Sequence, residues 1–265
     1  MKNEDNYLAI NKNSWNNGTD VHINSEFYDM TAFLEGKSSL KSIELEMLGD
    51  VSGKSILHLQ CHFGQDSISL SRMGAKVTGV DLSDNAIKTA EDLTIKLKDD
   101  AEFICCDLYD LPNHLTKTFD IVFTSYGTIA WLPDLDKWAA IVSQFLKPNG
   151  SFIFAEFHPI VWMFDDGFEK IQYNYFKDQA IETLEGSYTE STTDEAQQFI
   201  TWNHSLSEVL TSLLNIGLQI NSFIEYDYSP YNCFQNTIEF EQGKFRIKHL
   251  ANNIPMVYSL MATKI

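Results

Sequence analysis

Gly64 closes the turn Gln60-Cys61-His62-Phe63-Gly64, and 17 positions later the run Lys76-Val77-Thr78-Gly79-Val80-Asp81 ends in an acid. An open α/β sheet holds a nucleoside with such a series: a strand, a glycine-containing turn, a helix, then an acid ending the next strand. The ligand lies beyond the carboxyl ends of the strands. Asp81, followed by Leu82, offers a carboxylate that can accept from both hydroxyls of a ribose. Gln60, Cys61, His62 and Gly64 bring backbone and a helix N-terminus to the ligand's polar tail. NAD-binding enzymes share this spacing, so on its own it leaves the nucleoside open.

The elements that must position these residues follow from the pattern around them. From about residue 38 to 156, short apolar runs alternate with amphipathic stretches, which predicts a parallel sheet wrapped by helices on both faces. Leu40, Ile43 and Met47 mark a first helix, and Ser55-Ile56-Leu57-His58-Leu59 a central strand. A helix from Gly64 to about Gly74 precedes the strand that ends at Asp81, and Ser83 caps the next helix, with Ala86, Ala90, Leu93 and Leu97 on one face. Three further strands are predicted at Ala101 to Cys106, Phe119 to Ser125 and Ser151 to Glu156. Beyond Pro159, Ile171 to Phe176 and Gln198 to Trp202 read as antiparallel strands of an inserted cap. Ser205-Leu206-Ser207-Glu208 is a capping box opening a helix that Gly217 stops. Leu218 to Tyr226 and Met256 to Thr263 form a closing pair, with a hairpin turning at Gln242-Gly243 between them.

Composition bounds the function. Nineteen Lys and Arg against 37 Asp and Glu give a net charge of −18, a field that repels phosphate backbones and anionic membranes and argues against a nucleic-acid or membrane partner. No stretch approaches the roughly 18 apolar residues of a membrane span, and the polar start predicts a soluble cytoplasmic protein. The four cysteines, at 61, 105, 106 and 233, make neither a disulfide ladder nor a paired zinc motif. His58, Cys61 and His62 sit on a strand end and turn rather than on one helical face, and no metal is expected there.

Three more features carry a resemblance. Cys106-Asp107 follows the third strand, Phe119-Asp120-Ile121-Val122-Phe123-Thr124-Ser125 forms the fourth, and Leu146-Lys147-Pro148-Asn149-Gly150-Ser151-Phe152 turns into the fifth. Over about residues 38 to 159 and in its final helix and strand pair, the chain resembles the class I S-adenosylmethionine-dependent methyltransferases. The resemblance implies a doubly wound α/β fold: a seven-stranded, mostly parallel sheet with an antiparallel C-terminal strand, here with a small β-rich cap. It also implies S-adenosylmethionine as cofactor, with Asp81 on the ribose, Asp107 on the adenine amino group between Cys106 and Leu108, and Ser125 as a further cofactor contact. The family's first motif usually reads Leu-Asp-Leu-Gly-Cys-Gly-x-Gly, where this chain has Leu57-His58-Leu59-Gln60-Cys61-His62-Phe63-Gly64. Side chains at 60 and 62 narrow the space beside the methionine part, and Gln65 and Asp66 could supply the polar contacts that the missing residues do not.

The expected division is a lid segment over 1–37, a cofactor-binding core over 38–160, a cap over 161–203 and the closing helix and strands over 204–265. Tyr28 is the expected lid contact to the cofactor. Methyl transfer to a small-molecule acceptor needs the nucleophile aligned, water excluded and, for a protonated nucleophile, a base. Glu156, His158 and His204 are the candidate bases and Tyr126 the candidate positioner. An NAD-dependent oxidoreductase, disfavoured by the lack of an intact Gly-x-Gly-x-x-Gly, and a non-catalytic nucleoside-binding protein are the alternatives.

Overall fold

The computed structural model describes residues 6–186, 189 and 196–265; positions 1–5 and the cap positions 187–188 and 190–195 lie outside it. Strands β1 (Ser55–Leu59), β2 (Lys76–Asp81), β3 (Glu102–Cys105), β4 (Phe119–Ser125), β5 (Leu146–Phe157), β8 (Leu218–Tyr226) and β11 (Val257–Lys264) form a seven-stranded sheet in the order β3-β2-β1-β4-β5-β11-β8. Six strands run parallel, and β11 is antiparallel to both β5 and β8, as expected from the sequence. The order reverses between β1 and β4, which is where such sheets bind ligands.

Helices cover both faces because the strands are apolar on both. Along β4, Ile121 and Phe123 join Leu40, Leu48, Ile56 and Leu70 on one side, while Val122 joins Trp138, Phe145, Phe152, Phe154 and Leu213 on the other. The helices are α1 (Tyr7–Asn24), α2 (Met30–Leu34), α3 (Ser42–Leu48), α4 (Gln65–Arg72), α5 (Asp84–Leu97), α6 (Leu135–Phe145) and α7 (Leu206–Asn215). Ser83 and Ser205 cap α5 and α7 through the amides of Ala86 and Glu208.

The cap departs from the sequence reading. Its hairpin pairs β6 (Ile181–Glu185) with β7 (Gln197–Thr201), so the first strand lies downstream of Ile171 to Phe176. That stretch is loop, touched by a single bridge from Phe164 to Ile171, and Ile171 and Phe176 are exposed. Its alternating aromatics supply strand propensity, but they gain no partner strand. A second hairpin, β9 (Thr237–Glu241) with β10 (Lys244–Ile247), turns where expected.

Helix α1 crosses the carboxyl ends of the strands. It buries Asn11, Ser14, Thr19 and His22 instead of an apolar stripe, so hydrogen bonds hold it. Asn11 exchanges two bonds with the Ile200 backbone at 2.8 and 2.9 Å, Ser14 donates to the Gln198 carbonyl, and Asn16 accepts from the Ser83 hydroxyl at 2.6 Å. The helix thereby ties the cap hairpin to the start of α5.

Candidate active site

A cavity of about 1580 Å³ opens at the carboxyl ends of β1, β2 and β4, larger than the 300–1,000 Å³ typical of one small-molecule site. Tyr28, Gln60, Cys61, His62, Gly64, Gln65, Asp66, Asp81, Leu82, Cys106, Asp107, Leu108 and Ser125 all line it, as does Tyr126.

The turn after β1 keeps a glycine-type backbone without most of the glycines. Gln60 and His62 hold φ of 54° and 50°, and Gly64 holds 79°. For a residue with a Cβ this conformation costs roughly 1–2 kcal/mol, so other contacts must stabilise it. The His62 amide donates to Asp81 Oδ2 at 2.8 Å, the Cys61 amide to the Val80 carbonyl at 2.9 Å, and Gln60 Nε2 to the Thr128 carbonyl at 2.8 Å. Gly64 is irreplaceable for a second reason: a Cβ there would lie 2.6 Å from the Phe103 ring.

Asp81 also accepts from the Ser83 amide, at 2.9 Å, and burial raises the pKa of its carboxyl. Two backbone amides occupy part of its capacity and leave lone pairs on both oxygens. Asp107 accepts from the Tyr109 amide at 3.2 Å, and its pKa is likewise raised by burial. Gln60 Oε1 is buried without a hydrogen-bond partner, a waiting acceptor on the wall of the cavity. These acceptors fit a ligand carrying ribose hydroxyls, an exocyclic amine and an ammonium, which is the donor set of S-adenosylmethionine.

His62 does more than narrow the turn. Its ring stacks on Tyr28 at 5.6 Å, meets the edge of Trp15 at 5.3 Å and brings Nε2 to 3.1 Å from His22 Nδ1. Burial holds its pKa well below the usual histidine value, and His22 adds to the effect. The non-glycine residue of the turn thus joins the N-terminal segment to the core. Gln65 does the same, donating to the Tyr28 carbonyl at 2.9 Å, while Asp66 accepts from Ser39 at 2.6 Å. His58 turns to the Ser67 hydroxyl at 2.8 Å, and the described residues hold no cluster of three or more side chains suited to a metal.

Three expected bases are corrected. Glu156 does not line the cavity; it is buried beneath the loop after β4. Its carboxylate accepts from the amides of Gly127, Thr128, Ile129 and Phe157 and from the Thr128 hydroxyl. His158 also lies off the cavity, held between Glu225 at 2.9 Å and the Ile160 amide at 3.2 Å. His204 is buried outside the lining, with Nε2 2.8 Å from the Leu132 carbonyl and Nδ1 3.1 Å from Glu208. Their work in this geometry is structural.

Tyr126 does face the cavity. Its φ is 41°, and its hydroxyl donates to Glu44 Oε2 at 2.7 Å. Glu44, on α3, was missed from sequence; its other oxygen accepts from the Lys41 amide at 2.7 Å. The signal was its place four residues after Leu40 on the apolar face of a helix. Beyond Tyr126 the lining becomes aromatic: Phe157, Trp162, Tyr231 and Phe234 meet at ring separations of 5.1 to 5.8 Å.

Known proteins share part of the sequence and the fold. A family profile described as a methyltransferase domain matches residues 56–150. The chain is 30% identical over 165 residues to the demethylmenaquinone methyltransferase of Lactococcus lactis subsp. lactis, covering 58% of this chain and 62% of that one. An uncharacterized protein of Haemophilus influenzae is 27% identical over 225 residues, covering 79% and 87%. The crystal structure of an S-adenosylmethionine-dependent methyltransferase from Mesorhizobium loti superposes with a TM-score of 0.57 at 18% identity, over 87% of this chain and 100% of that one, and shares the fold. The matched methyltransferase domain spans the turn, the acid that ends β2 and the fourth strand, and the chain is similar in sequence to a methyltransferase and in fold to an S-adenosylmethionine-dependent one.

Proposed function

We propose that the chain transfers the methyl group of S-adenosylmethionine to a small-molecule acceptor. The observation that carries the reading is a single cavity with two chemically different ends. Acceptors for a nucleoside and an ammonium line one end, and aromatic rings line the other. In this reading Asp81 holds the ribose, Asp107 the adenine amine, and Gln60 Oε1 with Asp66 the ammonium. Ser125 and Tyr126 mark the boundary between the two ends.

The bound cofactor supplies an electrophilic methyl group on a sulfonium, whose leaving group needs no acid. The chain's own contribution is alignment and water exclusion. An in-line nucleophile must come to about 3–3.5 Å from the methyl carbon. Tyr28 and Trp15 cover the cofactor side from the N-terminal segment, while Trp162 and Phe234 enclose the acceptor side. An aromatic-walled chamber favours a small or partly apolar acceptor over a polymer. The chain's charge of −18 also disfavours nucleic acid. No helix of the described residues is long and apolar enough to cross a membrane, which is consistent with action in the cytoplasm.

Calorimetry with S-adenosylhomocysteine and with NAD tests the reading. S-adenosylhomocysteine should bind one per chain while NAD gives no heat; the opposite order would favour the oxidoreductase.

A further inference from the structure

The acceptor end of the cavity holds one arrangement that cofactor binding does not explain. Glu44 has no exposed surface, yet it directs a carboxylate oxygen at the hydroxyl of Tyr126, whose ring faces the cavity. A buried carboxylate costs several kcal/mol unless something compensates it, and here the Lys41 amide and the Tyr126 hydroxyl donate to it. Burial, with Asp66 adding repulsion, pushes the Glu44 carboxyl up to about 7. A group poised there exchanges a proton at neutral pH.

The surroundings indicate the kind of molecule that would use it. Tyr231 meets Tyr126 edge to face at 5.1 Å, and Phe157, Trp162 and Phe234 continue the wall, a chamber shaped for a flat ring. Lys41 lines the same chamber, its Nζ 4.7 Å from the centre of the Tyr231 ring; this positive charge favours a group that becomes anionic over one that is cationic. The other charged side chains lining the cavity include Asp66, bound to Ser39, the paired Lys37 and Asp29, Glu26, and Asp165 and Asp166, of which Asp165 accepts from the Glu169 and Lys170 amides. A hydroxyl on an aromatic ring has an acidity near that of tyrosine itself, so a proton passes between the two at little cost.

Building on the methyl-transfer reading, we propose that the chamber takes an aromatic alcohol and that Tyr126 and Glu44 together remove its hydroxyl proton. As the acceptor oxygen forms its bond to the methyl carbon, the carbon–sulfur bond breaks with its electron pair passing to sulfur. The acceptor's O–H proton moves to the Tyr126 oxygen, and the Tyr126 proton moves to Glu44 Oε2. After the product leaves, the proton returns from Glu44 through Tyr126 to water in the cavity. Tyr126 is the catalytic base, and Glu44 is its proton acceptor.

The test uses the whole chain saturated with S-adenosylhomocysteine at pH 8, with 4-cyanophenol as probe and infrared difference spectroscopy as readout. Adding the probe should produce a protonated-carboxyl band. That band should fall at least about tenfold in Glu44→Gln, which is isosteric and cannot take a proton, and also in Tyr126→Phe, which cuts the path. Calorimetry with S-adenosylhomocysteine checks that both variants are folded. A probe that binds without producing the band, or a band that persists in either variant, overturns the relay. A probe that does not bind the saturated protein overturns the acceptor class. Failure of S-adenosylhomocysteine itself to bind would instead overturn the methyl-transfer reading.

Discussion

The His62 amide donates to Asp81 Oδ2 at 2.8 Å, so the acid assigned to the ribose also braces the turn that faces the cofactor. Asp81→Ala removes this bond and the one to the Ser83 amide together with the ribose contacts. Affinity for S-adenosylhomocysteine should drop at least about tenfold, and the fold should lose roughly 3–6 kcal/mol, since two bonds to a charged partner are lost at about 1.5–3 kcal/mol each. Calorimetry and urea unfolding read the two effects; wild-type affinity in the variant would remove Asp81 from the site.

Glu156 is the expected base that the structure makes a brace. Glu156→Gln keeps the size but replaces one acceptor oxygen with a donor facing backbone N–H groups of the 127–129 loop. The expected result is a loss of about 3 kcal/mol or more in denaturant unfolding. A variant as stable as wild type would mean that the carboxylate is free for chemistry.

Glu44 gives a pH dependence of opposite sign to that of an ordinary salt-bridged acid. Burial pushes its carboxyl up to about 7 from the ordinary 4.5, so the native state binds the extra proton between those values. The contribution is fully favourable below the lower value and is lost as pH rises through the upper one. Glu44→Gln should therefore gain stability over wild type as pH goes from 5 to 8, by about 2–3 kcal/mol at most. Parallel stability curves for the two proteins would contradict the shift.

The N-terminal segment should behave as a lid. Hydrogen bonds and the ring contacts of Tyr7 with Trp202 and of Trp15 with Trp131 hold α1, and such contacts contribute only about 0.5–1.5 kcal/mol each, so the helix can open without unfolding the sheet. Removing residues 1–37 should leave S-adenosylhomocysteine binding weaker but measurable and should abolish methyl transfer. Limited proteolysis should cut α1 more slowly once the ligand is bound; full activity of the truncated chain would contradict the lid role.

The parallel sheet was legible because its signals are local. Apolar runs end in Gly64, Asp81 and Asp107, and β8 falls where Leu218 to Tyr226 was expected. Side-chain direction at the rim was not legible. Glu156 lies opposite Tyr258 in the β5–β11 register, a pairing across more than a hundred residues, and the loop after β4, 28 residues earlier, folds over it. The Tyr126–Glu44 contact is likewise long range, joining a turn to a helix 82 residues earlier. In the cap, aromatic alternation at Ile171 to Phe176 mimicked a strand because propensity does not report whether a partner exists.

A crystal structure with S-adenosylhomocysteine tests the account most directly. The prediction is density with the ribose on Asp81, the adenine amine at Asp107, the ammonium within hydrogen-bonding reach of Gln60 Oε1, and the sulfur facing the chamber of Tyr126, Trp162 and Phe234. Density lying elsewhere, or with its sulfur turned away from Tyr126, would contradict it.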